Sequence, residues 1–372
     1  MDALSLAKIR NLSPFDSSDP TADQPEEHLQ EVPPAPIDNT PKPKTNLDLI
    51  NDCDSFPQYT SDPSLYLKHV NTYYLLRVAA HPDTTLGYIL PSVAEVFRGL
   101  PHWELDDADR ILTLTVEGGQ EARSTAVAAT TAAMRATNHF AVLKGWRNEL
   151  YPVYGPGGKQ DLLFSIERAA SPLFGVVTYG VHMTAFTRAK KTQDVGGGEE
   201  ELRIWVGRRA RNKQTYGGML DNTVAGGIAT GEIPFESLVR EAAEEASSPE
   251  ALVREKGRAC GVVTYFSIRD EQAGGETGLL QPECQYVYDL ELDGNTVPKP
   301  SDDEVEGFHL WSVNEVKEAM RRGEFKPNCA LVLLDFFVRH GILTEENEKD
   351  YVEIGRNLHQ KSMREFRFRL GV

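Results

Sequence analysis

Gly226-Gly-Ile-Ala-Thr-Gly-Glu232, then seven residues, then Arg240-Glu-Ala-Ala-Glu-Glu-Ala-Ser-Ser248, is the stretch that decides how this 372-residue chain is read. At about 100° per residue, Glu241, Glu244 and Glu245 share one face of a helix, at spacings i, i+3 and i+4. Leu238, Val239, Ala242 and Ala246 fall on another face, the one expected to meet a sheet. Three like charges on one turn destabilise an isolated helix unless a counter-charge joins them. Mg2+ or Mn2+ suits that role, being hard and preferring oxygen ligands. The Gly226-Gly227 pair lets the backbone approach closely, so a main-chain carbonyl at Gly226 can join Glu241, Glu244 and Glu245 as a metal ligand. Such a centre can neutralise anionic oxygens and activate water, which makes the three glutamates a candidate catalytic set. Glu232 and Arg240 read as structural members, an ion pair tying the loop to the helix.

The flanks add candidates for substrate binding. Arg203, Arg208, Arg209, Arg211 and Lys213 form a basic cluster in an otherwise acidic chain. Arg208 and Arg209 are the cations expected to face phosphates, with Trp205 and Tyr216 as flat faces for a ring. Asp302-Asp-Glu-Val-Glu306 offers a further carboxylate, either Glu304 or Glu306. Asn328, ahead of an apolar helix, reads as its cap. Ser247-Ser-Pro249 is expected to end the glutamate helix without the left-handed glycine common at such ends. None of the histidines shows ligand spacing, and His182, on an alternating run, reads as structural.

Composition bounds the rest. With 39 basic against 56 acidic residues the formal charge is −17, which argues against a duplex nucleic-acid binder but leaves a small anionic substrate open. Cys53, Cys260, Cys284 and Cys329 are scattered and read as reduced thiols. No apolar run approaches the roughly 18 residues of a membrane helix, and the start lacks a secretory pattern, so a cytoplasmic protein, monomer or homodimer, is expected. Residues 1–45 are rich in Pro, Asp, Glu and Ser and read as a disordered tail. Residues 46–168 suggest a smaller α+β unit: a strand at Tyr73–Val78, helices at Ser92–Leu100 and Ser124–Thr137, a strand at Ile111–Val116, and a strand or turn over Phe140–Leu150. Residues 171–345 suggest an α/β unit: a strand at Val176–Thr187, a turn at Gly196–Glu201, a return strand, the glutamate helix from about Phe235, strands at Gly261–Ile268 and Glu283–Leu292, and helices at Asn314–Arg322 and Asn328–His340. Residues 346–372 suggest a polar helix.

The pattern from Gly226 to Glu245 matches the Nudix signature, and the chain resembles Nudix hydrolases of the thiamine pyrophosphokinase-related branch. Trp205-Val-Gly-Arg-Arg, Leu220-Asp-Asn-Thr-Val-Ala-Gly-Gly-Ile228, Asp303-Glu-Val-Glu-Gly-Phe308 and Phe325-Lys-Pro-Asn-Cys-Ala330 carry the likeness, with Ser247 shared by that branch. Leu86-Gly-Tyr-Ile-Leu-Pro91 and Leu143-Lys-Gly-Trp-Arg-Asn-Glu149 resemble its N-terminal accessory domain. The resemblance implies an α/β/α sandwich with a mixed sheet, and a glutamate in the late loop acting as extra ligand or base, for which Glu304 and Glu306 tie. It further implies cleavage of thiamine diphosphate-like molecules, damaged oxo and oxy forms included, to the monophosphate. A nucleoside-diphosphate hydrolase and a non-catalytic binding module are the alternatives. An isomerase on the same fold would need a cysteine between Arg203 and Gly227, where none stands.

Overall fold

In the computed structural model residues 42–190, 200–301 and 303–359 are described. Most of the expected tail, residues 196–199 of the expected turn and the end of the C-terminal helix lie outside them, while Glu200 and Glu201 open a strand instead of closing a turn. Lys44 and Thr45, read as tail, are docked: the Lys44 N–H donates to the Arg321 carbonyl at 2.8 Å, and Thr45 caps the first helix in a box with Asp48. That helix, α1 (Asn46–Cys53), buries Leu49, Ile50 and Cys53 beside Phe336 and Phe337, in the core of the C-terminal half. The boundary at residue 46 therefore divides the sequence where the packing does not.

After α2 (Pro63–Val70), a four-stranded sheet forms from β1 (Tyr74–Val78), β2 (Gly87–Ile89), β3 (Trp103–Asp106) and β4 (Ile111–Leu114), ordered β2-β1-β4-β3. The helix expected at Ser92–Leu100 is α3 (Pro91–Ala94) tightening into a 3-10 turn at Glu95–Phe97. The Ala/Thr-rich α4 (Gln120–Ala136) joins Val127 and Met134 to Leu76, Leu112 and Phe164 in one core. Phe140–Leu150 is mainly a 3-10 turn (Ala141–Gly145), and the strand starts only at its end. There β5 (Leu150–Tyr154) pairs antiparallel with β6 (Leu162–Glu167) as a separate hairpin, followed by α5 (Ser171–Phe174).

Alternation from Val176 onward produces β7 (Thr178–Lys190), the spine of the second sheet. With β8 (Glu200–Arg209), β9 (Leu220–Asp221), β10 (Val224–Gly227), β11 (Arg258–Ile268), β12 (Leu280–Glu291) and β13 (Val305–Ser312) it makes seven strands, ordered β11-β12-β7-β8-β13, with β10 on β7 and β9 on β8. The β12–β7 pair is parallel and the other pairs antiparallel, so the sheet is mixed. α6 (Pro234–Ala246) and α7 (Glu250–Lys256) cover one face, where Leu238, Val239, Ala242 and Ala246 meet Val181, Met183 and Tyr288. α8 (Val313–Arg321), α9 (Pro327–Arg339), α10 (Tyr351–His359) and α1 cover the other. The result is an α/β/α sandwich, each large apolar side chain in it contributing about 1.5–3 kcal/mol by leaving water. Both sheets belong to one compact unit, and no helix among the described residues is long and apolar enough to cross a membrane.

α6 opens on Pro234, where the missing N–H has no helical partner to lose. Its end corrects one expectation. Ser247 sits in the left-handed region, at φ 51° and ψ 29°, so a serine occupies the conformation that glycine usually supplies. The cost for an L-residue is about 1–2 kcal/mol.

Candidate active site

β10 runs antiparallel to β7, pairing Gly226 with Val181 and Gly227 with Gly180, and delivers the chain through residues 228–233 into α6. The Glu241 side chain lies against Gly226 so closely that any Cβ there would overlap it. Glu245 accepts the Ala225 N–H at 2.9 Å. Both carboxylates are buried, whereas the Glu244 side chain is half exposed. Arg240 joins the parts: Nε and Nη2 donate to the two oxygens of Glu232 at 2.9 and 3.1 Å, and Nη2 approaches the Gly227 carbonyl at 3.4 Å. Its Nη1 donates to Glu241 and Glu244, each at 2.9 Å. Ser237 fixes Glu232 from the helix side at 2.6 Å.

Burial raises the Glu241 carboxyl above its ordinary value, against the pull of Arg240 and Arg168. Burial, then Asp221 and Glu241, push Glu245 up to about 8. The donors on offer are hard oxygens, the kind Mg2+ or Mn2+ prefers, but Arg240 engages Glu241 and Glu244, and among the described residues the oxygens of the three glutamates do not all lie within 4.8 Å of one another.

Beside this loop lies a cleft of about 260 Å3 whose walls come from the seven-stranded sheet and from the region of the β5–β6 hairpin. Gly226 and Gly227 border it together with Tyr151, Tyr179, Tyr216 and Tyr265, and with the cations Arg147, Arg168, Arg269 and Lys326. Asp52, Asp270 and Glu283 also border it, so in an acidic chain the cations hold a small majority on an aromatic lining, which suits an anionic ligand. On its wall the buried Oε1 of Gln285 has no partner among the described residues.

The flanking candidates separate. Tyr216 lines the cleft. Trp205 does not stack there: it is buried under α6 beside Val181 and Val224, because its position on β8 points to the helical layer. Arg209 is not free for phosphate, since it holds the buried Asp221 at 2.6 Å and donates to the Thr215 carbonyl at 3.1 Å. Arg208 faces away from the cleft, into a surface groove with Arg211 and Glu306, where it donates to the Gly218 carbonyl at 2.8 Å. Neighbours on a strand point to opposite faces, which is why this run divides. Glu306 lies in that groove, 3.9 Å from Arg211. Glu304 instead meets Lys213 and Arg147, the latter at 3.0 Å. Burial opposes its charge, but these two cations hold its pKa at about 2, too low for a base near neutrality. Asn328 is not a cap: Lys326 occupies that position, and Asn328 donates to the Tyr265 hydroxyl at 2.9 Å.

The sequence reading missed Tyr151, Arg168 and Lys326. Lys326 lay inside a stretch that carried the family likeness, and Arg147 in another; nothing in the spacing of Tyr151 or Arg168 marked them. It also missed a buried cluster, since His182, Asp221 and Cys329 bring possible ligand atoms within 4.8 Å of one another. Asp221 there already accepts from Arg209 at 2.6 Å and from the Cys329 thiol at 2.7 Å. Burial opposes its charge, yet Arg209 and Lys326 hold it well below the usual carboxylate range, so the cluster is neutralised without a metal.

Comparison with known proteins agrees with this architecture. Residues 77–178 match a domain of unknown function (DUF4743), and residues 195–329 match the NUDIX domain. An uncharacterized protein of Saccharomyces cerevisiae is 33% identical over 301 residues, covering 78% of this chain and 83% of the yeast protein. "Nudix hydrolase 24, chloroplastic" of Arabidopsis thaliana is 33% identical over 290 residues, 73% of each chain. "Nudix hydrolase 20, chloroplastic" of the same plant is 36% identical over 221 residues, 59% of this chain and 54% of that protein. With the signature residues gathered on one loop and helix, and with relatives matched over most of their length, the chain belongs to the Nudix hydrolases, enzymes that cleave pyrophosphate bonds.

Proposed function

We propose that this hydrolase cleaves an organic diphosphate to the monophosphate in the presence of Mg2+ or Mn2+, and that its substrate carries a flat heteroaromatic group of the thiamine diphosphate type, oxo and oxy forms included. The observation that carries the reading is the single cleft in which the glycine loop beside Glu241 adjoins Tyr151, Tyr179, Tyr216 and Tyr265. Diphosphate chemistry belongs at the loop and ring stacking along the tyrosines, and both fit one extended molecule. The thiamine-like ring itself rests on the family resemblance.

Glu241, Glu244, Glu245 and the Gly226 carbonyl would hold the cation, as Nudix hydrolases generally use a divalent metal. Bound there, it supplies charge neutralisation at the diphosphate and a lowered pKa for the attacking water. The chain's own residues do the positioning. Gly226 and Gly227 let the backbone stand against Glu241 and Tyr151, and Arg240 fixes loop and helix as one body through Glu232 and the Gly227 carbonyl. Glu304, held ionised between Arg147 and Lys213, serves as a clamp between the two halves of the chain, and Glu306 takes no part.

Phosphate release measured against a panel of diphosphates, with and without Mg2+, tests the proposal. Higher kcat/KM for oxo- or oxythiamine diphosphate than for ADP-ribose or nucleoside diphosphates is expected. A preference for a nucleotide would remove the thiamine-type assignment, and full activity in chelator would remove the metal.

A further inference from the structure

The β5–β6 hairpin belongs to the accessory region, yet it docks on the glycine loop. The Thr230 N–H donates to the Leu150 carbonyl at 2.7 Å, and its hydroxyl to Ser165 Oγ at 3.0 Å. The Tyr151 hydroxyl packs on Gly227 where any Cβ would overlap it. Arg168 follows β6 directly, lines the cleft with Gly226 and Gly227, and lies with its guanidinium carbon 5.5 Å from the centre of the Tyr151 ring. Its Nη1 pairs with Glu149 at 2.8 Å, while Nε and Nη2 engage no protein acceptor among the described residues. Burial works against its charge, but Tyr151, Glu149 and Glu241 outweigh that and keep it a cation.

The other cleft cations are engaged differently. Arg269 uses Nε, Nη1 and Nη2 on the Gly274 carbonyl, Gln281 and the Ala273 carbonyl. Arg147 is tied to Glu304. Lys326 stands at the start of α9, near His182 and Asp221. Arg168 stands near enough to Glu241 to stabilise its charge. A half-engaged guanidinium that lines the cleft beside the glycine loop is built to take oxygens of a phosphate in its remaining fork.

We propose that Arg168 binds the substrate's diphosphate beside the glycine loop, so that the accessory hairpin supplies part of the hydrolase site. The proposal rests on the diphosphatase reading but not on the identity of the ring.

The test uses the full chain and methylenediphosphonate, a non-hydrolysable diphosphate without a ring, titrated calorimetrically with Mg2+ present. Arg168→Ala is expected to weaken binding about tenfold to a hundredfold, the scale of a lost charge-assisted contact, and Arg168→Lys to recover part of it. Glu149→Gln, which removes the partner and leaves the cation, should bind at least as tightly as the wild type. Unchanged affinity in Arg168→Ala would overturn the proposal, and so would an equal loss in Glu149→Gln, which would mark the ion pair as merely structural. A wild type that neither binds the diphosphonate nor cleaves any diphosphate would overturn the diphosphatase reading with it. A wild type that cleaves nucleotides instead of thiamine-type compounds leaves this proposal standing.

Discussion

Adding one methyl group at Gly226 tests the geometry of the site directly. The Cβ of Gly226→Ala would fall well inside 3.0 Å of the Glu241 Cγ, Cδ and Oε1, a separation that real Cβ atoms essentially never show. The φ of Gly226 is not in the left-handed region, so backbone strain adds nothing and the whole effect is steric. Glu241 is buried between α6 and β10 and must retreat by on the order of 1 Å in a closely packed setting, at a cost of about 1–3 kcal/mol. A misplacement of that size at a reacting centre lowers turnover by about a hundredfold. Steady-state phosphate release at saturating Mg2+, alongside a thermal melt, separates the two effects: kcat should fall about a hundredfold while the melting temperature drops by only a few degrees. Glu241→Asp in the same background, one methylene shorter, should recover part of the lost turnover. A Gly226→Ala protein with kcat within threefold of wild type would refute the close approach of loop and carboxylate and the ligand role built on it.

Glu244→Gln and Glu245→Gln should each lower kcat at least about a hundredfold, and chelator should abolish activity that Mg2+ or Mn2+ restores; a chelator-insensitive enzyme would contradict the metal role. Arg240→Ala removes the partner of Glu232, Glu241 and Glu244 at a half-buried site, and should reduce stability by about 1–3 kcal/mol as well as activity. An unchanged melting point with lost turnover would assign Arg240 to the chemistry instead. His182 is held neutral, chiefly by burial and then by Lys326, with its pKa lowered to about 4. The unfolded chain takes up that proton near pH 6.5 and the folded chain does not, so stability is full above pH 6.5. It is lost as pH falls toward 4, by up to about 3 kcal/mol. Urea unfolding between pH 7 and 4.5 should show a steeper decline for wild type than for His182→Gln, and parallel curves would refute the assignment.

The glutamate helix, its sheet-facing stripe and four strands of the larger sheet (β7, β8, β11 and β12) were legible because each follows from local periodicity, whereas β9, β10 and β13 were not. Three carboxylates at i, i+3 and i+4 share a face wherever the helix packs, and β7 alternates whatever lies beside it. Family wording added the accessory region. Trp205, Arg208 and Arg209 were misread because proximity in sequence was taken for a shared site. On a strand, consecutive side chains enter different layers, and Asp221, nine-tenths buried, claims Arg209 as its counter-charge. Ser247 showed that packing can hold a residue in a conformation its own preferences oppose. What only the tertiary structure decided is the wall of the cleft. Tyr151 and Arg168 precede the glycine loop by more than fifty residues, and docking of the β5–β6 hairpin through Leu150, Ser165 and Thr230 puts them there. The sequence by itself determined the family and its pyrophosphate-cleaving chemistry, because the signature from Gly226 to Glu245 is a matter of local spacing. The ligand's surroundings are set by contacts between distant segments, which depend on how two sheets pack and leave no period in the chain.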